Sequence, residues 1–129
     1  EFEGLRLEAY LCPAGIPTIG YGHTRGVQLG TRIEPEKADQ LLTVDLEQVR
    51  LQLAPAVKVP VSEGQFKALL SFAYNVGAVA VRDSTLLKYL NAGKFEAAQR
   101  EFSRWVYSKG ERLPGLVRRR KREAEVFAS

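Results

Sequence analysis

Few side chains in this sequence are equipped for chemistry, and several of them stand close to its start. The only cysteine, Cys12, and the only histidine, His23, both fall there. One Cys and one His cannot supply the usual zinc ligand set, and no carboxylate spacing makes up the number, so no metal site is expected. A single cysteine also excludes an intrachain disulfide. Glu3 could protonate a leaving oxygen, provided its surroundings keep a proton on it. Cys12 is a weak base, because an ordinary thiol is mostly protonated at neutral pH. It could still hydrogen-bond a water, or act as a thiolate in a positive field. Thr18 has no useful acidity, but its hydroxyl both donates and accepts and so could hold a water. Taken singly, each has a plainer reading: a solvated helix carboxylate, a small buried apolar group and a β-branched strand residue. His23 reads as a brace of a small sheet through a hydrogen bond to a nearby acid.

These residues need elements to hold them. Phe2, Leu5 and Ala9 recur at helical spacing, which predicts a helix over residues 1–11, ended by Pro13. Residues 13–33 change character: five glycines interrupt any helix, and Ile19, Tyr21 and His23 alternate with small residues, as in a short antiparallel sheet. Pro35 suits the first turn of a helix whose apolar stripe runs from Ala38 to Leu53. Ser62 with Gln65 reads as a capping box, opening a helix that carries Phe66, Leu69, Leu70, Ala73 and Val76. Ser84 caps a short helix that stops at Gly93. Residues 94–107 are expected as a further helix, with Phe95, Ala98, Phe102 and Trp105 on one side. Pro114 begins the last, whose buried face includes Val117, Ala124 and Phe127. Strands confined to one stretch and helices after it give the α+β class. A small β-containing lobe beside a helical lobe would leave a cleft.

Composition narrows the function classes. With 129 residues, 45% of them apolar and 26% charged, the chain reads as one soluble domain with a real core. No apolar run approaches the roughly 18 residues of a membrane span. The net charge of +4 suits polyanionic partners, among them nucleic acid, anionic lipid and the bacterial wall. The run Arg118, Arg119, Arg120, Lys121, Arg122 invites a nucleic-acid reading. A helix would disperse it around its circumference, Glu123 and Glu125 dilute it, and no nucleic-acid motif accompanies it. The run is expected to be a solvated face.

Residues 3–24 read EGLRLEAYLCPAGIPTIGYGHT. This segment resembles the signature of the phage-type lysozymes, glycoside hydrolase family 24. In that family a Glu is followed after eight residues by Asp or Cys and after five more by Thr. Glu3, Cys12 and Thr18 fit the spacing without a gap, and TIGYGH, Thr18 to His23, matches the family's sheet turn. FAYNVG (Phe72 to Gly77), STLLKYLNAG (Ser84 to Gly93), RWV (Arg104 to Val106) and LPGLVRRR (Leu113 to Arg120) resemble its helical lobe. The resemblance covers nearly the whole chain in the expected order.

The resemblance implies a lysozyme-like α+β fold in a single domain. Residues of about 13–55 would form the small β-containing lobe and connecting helix, and about 56–129 the helical lobe. It implies an endolysin, a muramidase that hydrolyses the β-1,4 bond between N-acetylmuramic acid and N-acetylglucosamine with inversion, for host cell lysis. Glu3 would be the acid, Cys12 would stand where a water-activating carboxylate usually stands, and Thr18 would hold the water. Tyr74, Asn75 and Thr85 occupy positions that line the family's saccharide cleft. No cofactor is expected. The expected partner is the peptidoglycan glycan strand, with no nucleic acid, no membrane span in this chain and a monomeric state. The site of action would be the wall, in the periplasm or outside the cell, after synthesis in the host cytoplasm. A lytic transglycosylase on the same bond and a catalytically impaired wall-binding module are the alternatives; the first has no use for a water holder at position 18. Only two residues precede Glu3, and the chain contains no methionine, so it reads as a processed or trimmed form. A signal-anchor-release segment, which many Cys-type members carry, would account for the missing start of the first helix.

Overall fold

A computed structural model of the chain describes residues 5–12, 15–108 and 110–129. They form two compact units, Glu1–Glu47 and Gln48–Ser129. The first unit is built on strands β1 (Arg6–Leu11) and β2 (Pro17–Gly20), which pair antiparallel with a register shift between Arg6 and Tyr10. Helix α1 (Pro35–Leu53) begins in this unit, with Pro35 in its first turn as its fixed φ favours.

Strand β1 corrects one expectation. The helix expected over residues 1–11 is a strand from Arg6 onward; residues 1–4 lie outside the described residues. Leu5 and Ala9 are four apart, but Leu5, Leu7 and Ala9 also alternate with Arg6 and Glu8, so both periods fit. Long-range pairing decides. One edge of β1 binds β2; on the other, Ala9 N–H donates to the Thr31 carbonyl (2.9 Å) and Ile33 N–H to the Leu7 carbonyl (2.8 Å). Arg32 Nη1 reaches Glu8 Oε1 at 2.9 Å across the same edge. A helix here would leave the backbone groups of β2 and 31–33 without these partners.

The second unit is helical, and its caps lie where expected. Helix α2 (Glu63–Val76) opens on a full capping box: Gln65 N–H donates to Ser62 Oγ at 3.0 Å, and Ser62 N–H to Gln65 Oε1 at 2.8 Å. Helix α3 (Ala78–Arg82) follows. Helix α4 (Thr85–Asn91) is capped by Ser84 and ends before Gly93, whose φ is +77°. Helix α5 covers Phe95–Glu101 only, and a 3₁₀ turn (Phe102–Arg104) completes it. The helix expected over 94–107 therefore stops early. The Trp105 carbonyl, which a longer helix would use, accepts from Arg120 Nη1 at 3.4 Å. The chain then forms the short hairpin β3 (Tyr107–Ser108) and β4 (Glu111–Arg112). Helix α6 (Pro114–Ala128) starts on its proline.

The core of this unit is an aromatic stack. Phe72 meets Phe102 and Trp105 edge-on, with centroids 5.3 and 5.2 Å apart, and Phe102 meets Phe127 at 5.6 Å. Such T-shaped pairs add favourable quadrupole contact to area burial. Leu69, Leu86, Leu87, Leu90, Val81 and Ala98 close around them. Gly64 lets α2 approach α6 closely, since a Cβ there would lie 2.7 Å from the Val126 carbonyl.

Against this stack lies the largest departure from the sequence reading. Arg119 and Arg120 belong to the basic run expected to be solvated, yet they are 6% and 1% exposed, and Glu123 is 0% exposed. Glu123 Oε2 accepts from Arg119 Nε at 3.2 Å and from Arg120 Nη2 at 3.1 Å, while Oε1 lies 2.6 Å from Arg120 Nε. The Arg120 guanidinium sits 5.0 Å from the centre of the Phe72 ring. The reason is helical spacing: Glu123 follows the two arginines by four and three residues, so all three share one side of α6. Arg118, Lys121 and Arg122 point outward, as expected. Removing one charge of a buried cluster strands the others, at about 3–5 kcal/mol. Glu123→Gln is therefore expected to lower the unfolding free energy by about that much in urea titrations; a loss below about 1 kcal/mol, the scale of a surface pair, would contradict the burial.

Candidate active site

The hairpin β1–β2 carries two of the three residues singled out for chemistry. Its turn is closed by Cys12 N–H donating to the Ile16 carbonyl at 3.0 Å and Gly15 N–H donating to the Cys12 carbonyl at 2.8 Å. Gly15 has φ +79°, a conformation that a side chain disfavours. Cys12 is half-buried at the end of β1. Thr18 lies in β2 opposite Tyr10 and is 3% exposed. Its Oγ1 donates to the Ile16 carbonyl at 2.8 Å. One carbonyl oxygen thus receives both the Cys12 amide and the Thr18 hydroxyl, and this ties the two residues to a common point. With its proton committed, the Thr18 hydroxyl has only lone pairs to offer a third group. Glu3, the expected acid, lies outside the described residues.

His23 follows this strand and is fixed from two sides. It forms a backbone bridge with Ile19, each N–H donating to the other's carbonyl at 2.9 Å. Its ring Nδ1 lies 2.7 Å from Asp45 Oδ2, and Nε2 lies 2.9 Å from the Arg25 carbonyl. Arg25 Nη2 reaches the other Asp45 oxygen at 3.2 Å. The expected brace is present, and Asp45, on α1, is its acid. The sequence reading foresaw an acid but not which one, because the pairing spans 22 residues.

The three expected saccharide contacts lie in the second unit. Tyr74 and Asn75 are half-buried in the last turn of α2, ahead of Gly77 at φ +98°. Thr85 is exposed at the first residue of α4, beside the buried cap Ser84, whose Oγ donates to the Val81 carbonyl and accepts from Leu87 N–H. No side-chain hydrogen bond of Asn75 or Thr85 is found among the described residues. Sequence reasoning passed over the groups behind α2. Ser71 Oγ donates to Glu123 Oε2 at 2.6 Å, and Arg119 Nη2 donates to the Ser71 carbonyl at 3.0 Å. The available signal was the gap in the apolar stripe of α6 where Arg120 and Glu123 fall between Leu116 and Phe127.

No group of three or more His, Cys, Asp or Glu suited to hold a metal occurs among the described residues. No described helix is long and apolar enough to cross a membrane.

Residues 1–123 match the family model described as phage lysozyme. The chain is 44% identical to an endolysin of Acyrthosiphon pisum secondary endosymbiont phage 1, over 100% of this chain and 91% of that protein. It is also 44% identical to the endolysin of Bacillus phage B103, over 98% of this chain but only 49% of that longer protein. Among solved structures, the muramidase domain of SpmX from Asticaccaulis excentricus superposes with a TM-score of 0.90 at 36% identity, covering 99% of this chain and 90% of that one. The α+β, lysozyme-like fold expected from the sequence is the fold observed, and by family model and whole-chain relatives alike this protein belongs to the phage lysozyme family, whose members are glycoside hydrolases.

Proposed function

We propose that this muramidase cleaves the β-1,4 bond between N-acetylmuramic acid and N-acetylglucosamine by direct attack of water, with inversion at the anomeric carbon. Glu3 gives its proton to the leaving oxygen and the water attacks from the opposite sugar face; the proton that the water sheds as its C–O bond forms passes to solvent, and solvent reprotonates Glu3. The observation that carries the water's part is the Ile16 carbonyl shared by Cys12 N–H and Thr18 Oγ1–H. It commits the Thr18 proton and leaves the hydroxyl only lone pairs to offer. An acceptor there orients the water's O–H and increases electron density on the attacking oxygen. Cys12, anchored to the same carbonyl, is the polar neighbour that holds the water's other side. Burial of Thr18 holds its rotamer, so little entropy is lost as the water is captured.

The assignment of Glu3 rests on the match of Glu3, Cys12 and Thr18 to the spacing of the phage-type lysozyme signature. Asn75 presents an uncommitted amide to a sugar N-acetyl group, Tyr74 a ring face and a hydroxyl, and Thr85 an exposed hydroxyl. We read the two units as lobes of one lysozyme domain that works as a monomer. The substrate is peptidoglycan, met at the cell wall after synthesis in the host cytoplasm. Nucleic acid is not a partner in this reading, because burial of Arg119 and Arg120 removes two of the run's five cations, and Arg122 lies 3.8 Å from Glu125.

Two substitutions test the scheme by turbidity clearing of chloroform-treated Gram-negative cells. Glu3→Gln is expected to lose roughly 10²–10⁴-fold in lysis rate, the usual contribution of general acid catalysis; near-normal clearing would end its assignment as acid. Thr18→Val keeps the side chain's shape and removes only the hydroxyl. It is expected to slow lysis roughly ten- to hundredfold while losing only about 1–2 kcal/mol of stability, the cost of one buried hydrogen bond, so that the protein stays folded at the assay temperature. A Thr18→Val protein that lyses at the parent rate would show that Thr18 holds no water.

A further inference from the structure

Ser71 stands one helical turn before Asn75, on the same side of α2. In an α-helix the carbonyl of residue 71 receives the amide N–H of residue 75. That carbonyl here also accepts from Arg119 Nη2 at 3.0 Å, and the Ser71 hydroxyl donates to Glu123 Oε2 at 2.6 Å. Both ends of Ser71 are therefore tied to a buried ion cluster whose other member, Arg120, is gripped by Phe72 and the Trp105 carbonyl. Asn75, by contrast, keeps its side-chain amide uncommitted among the described residues. A rigid, fully bonded turn directly beneath an unbonded amide is the arrangement needed to present that amide in one direction. A helix end held only by its own ladder would fray.

We propose that Ser71 is a positioning residue: through Arg119 and Glu123 it sets the last turn of α2 and thereby aims Asn75 at the glycan. The inference rests on the reading of Asn75 as a saccharide contact. It predicts that loss of the Ser71 hydroxyl weakens glycan binding without touching the reacting atoms. Glu123 would still bind both arginines in a Ser71→Ala protein, so the fold survives the change.

The test is steady-state cleavage of a soluble murein oligosaccharide of fixed length by the whole chain. Ser71→Ala is expected to raise KM about three- to tenfold, the worth of one hydrogen bond, with kcat little changed. Ser71→Thr, which restores the hydroxyl, should return KM to the parent value. Ser71→Ala combined with Asn75→Ala should show the KM of Asn75→Ala alone, because one residue acts through the other. An unchanged KM in Ser71→Ala, or effects that multiply in the double variant, would overturn the proposal while leaving Asn75 as a contact. An unchanged KM in Asn75→Ala itself would remove the contact, and the proposal with it.

Discussion

A carboxylate with no exposure to water, held by two arginines that are nearly as buried, is the constraint around which the second unit is organised. Arg119, Arg120 and Ser71 surround Glu123 and supply its polar contacts. The net gain in stability from such a cluster is small, since desolvation of the charges consumes most of their attraction. Its effect is on uniqueness. The donors of a guanidinium point in fixed directions, and each one here specifies a neighbour: Arg120 reaches the Trp105 carbonyl just after the 3₁₀ turn, and Arg119 reaches the Ser71 carbonyl and so registers α6 against α2. The aromatic stack of Phe72, Phe102, Trp105 and Phe127 supplies apolar burial but no such direction.

A smaller constraint of the same kind governs the first unit. The Ile16 carbonyl closes the β1–β2 turn and holds the Thr18 hydroxyl. Turn geometry and candidate chemistry are therefore one structure. The His23–Asp45–Arg25 group fixes the chain just after β2 to α1. Both units thus use polar groups to hold a short segment still.

Much of this was legible in the sequence where the signal is local. The capping box at Ser62 and Gln65, the cap at Ser84, the stop at Gly93 and the helix starts at Pro35 and Pro114 all depend on residues within a turn of one another, and all are observed. The readings that failed depend on distant partners. Leu5, Leu7 and Ala9 satisfy two periodicities, and only pairing with β2 and 31–33 selects the strand. Arg119 and Arg120 looked solvated because charged residues are rarely buried without partners, and the partner carboxylate looked like dilution of a basic face. At the candidate site, the resemblance to the phage-type lysozyme signature nominated Glu3, Cys12 and Thr18, and the hairpin shows how the last two are tied together. Ser71 carried no local mark, since its role depends on a contact 52 residues away.

In the proposed reaction a water held beside Cys12 and Thr18 displaces the leaving sugar in a single step. The stereochemistry of the first product tests it most directly. Proton NMR of a soluble murein oligosaccharide, recorded as cleavage begins and before mutarotation, reads the configuration at the new reducing end. Single-step attack releases the α-anomer first. Initial release of the β-anomer, or of a 1,6-anhydro end that contains no added water, would contradict it.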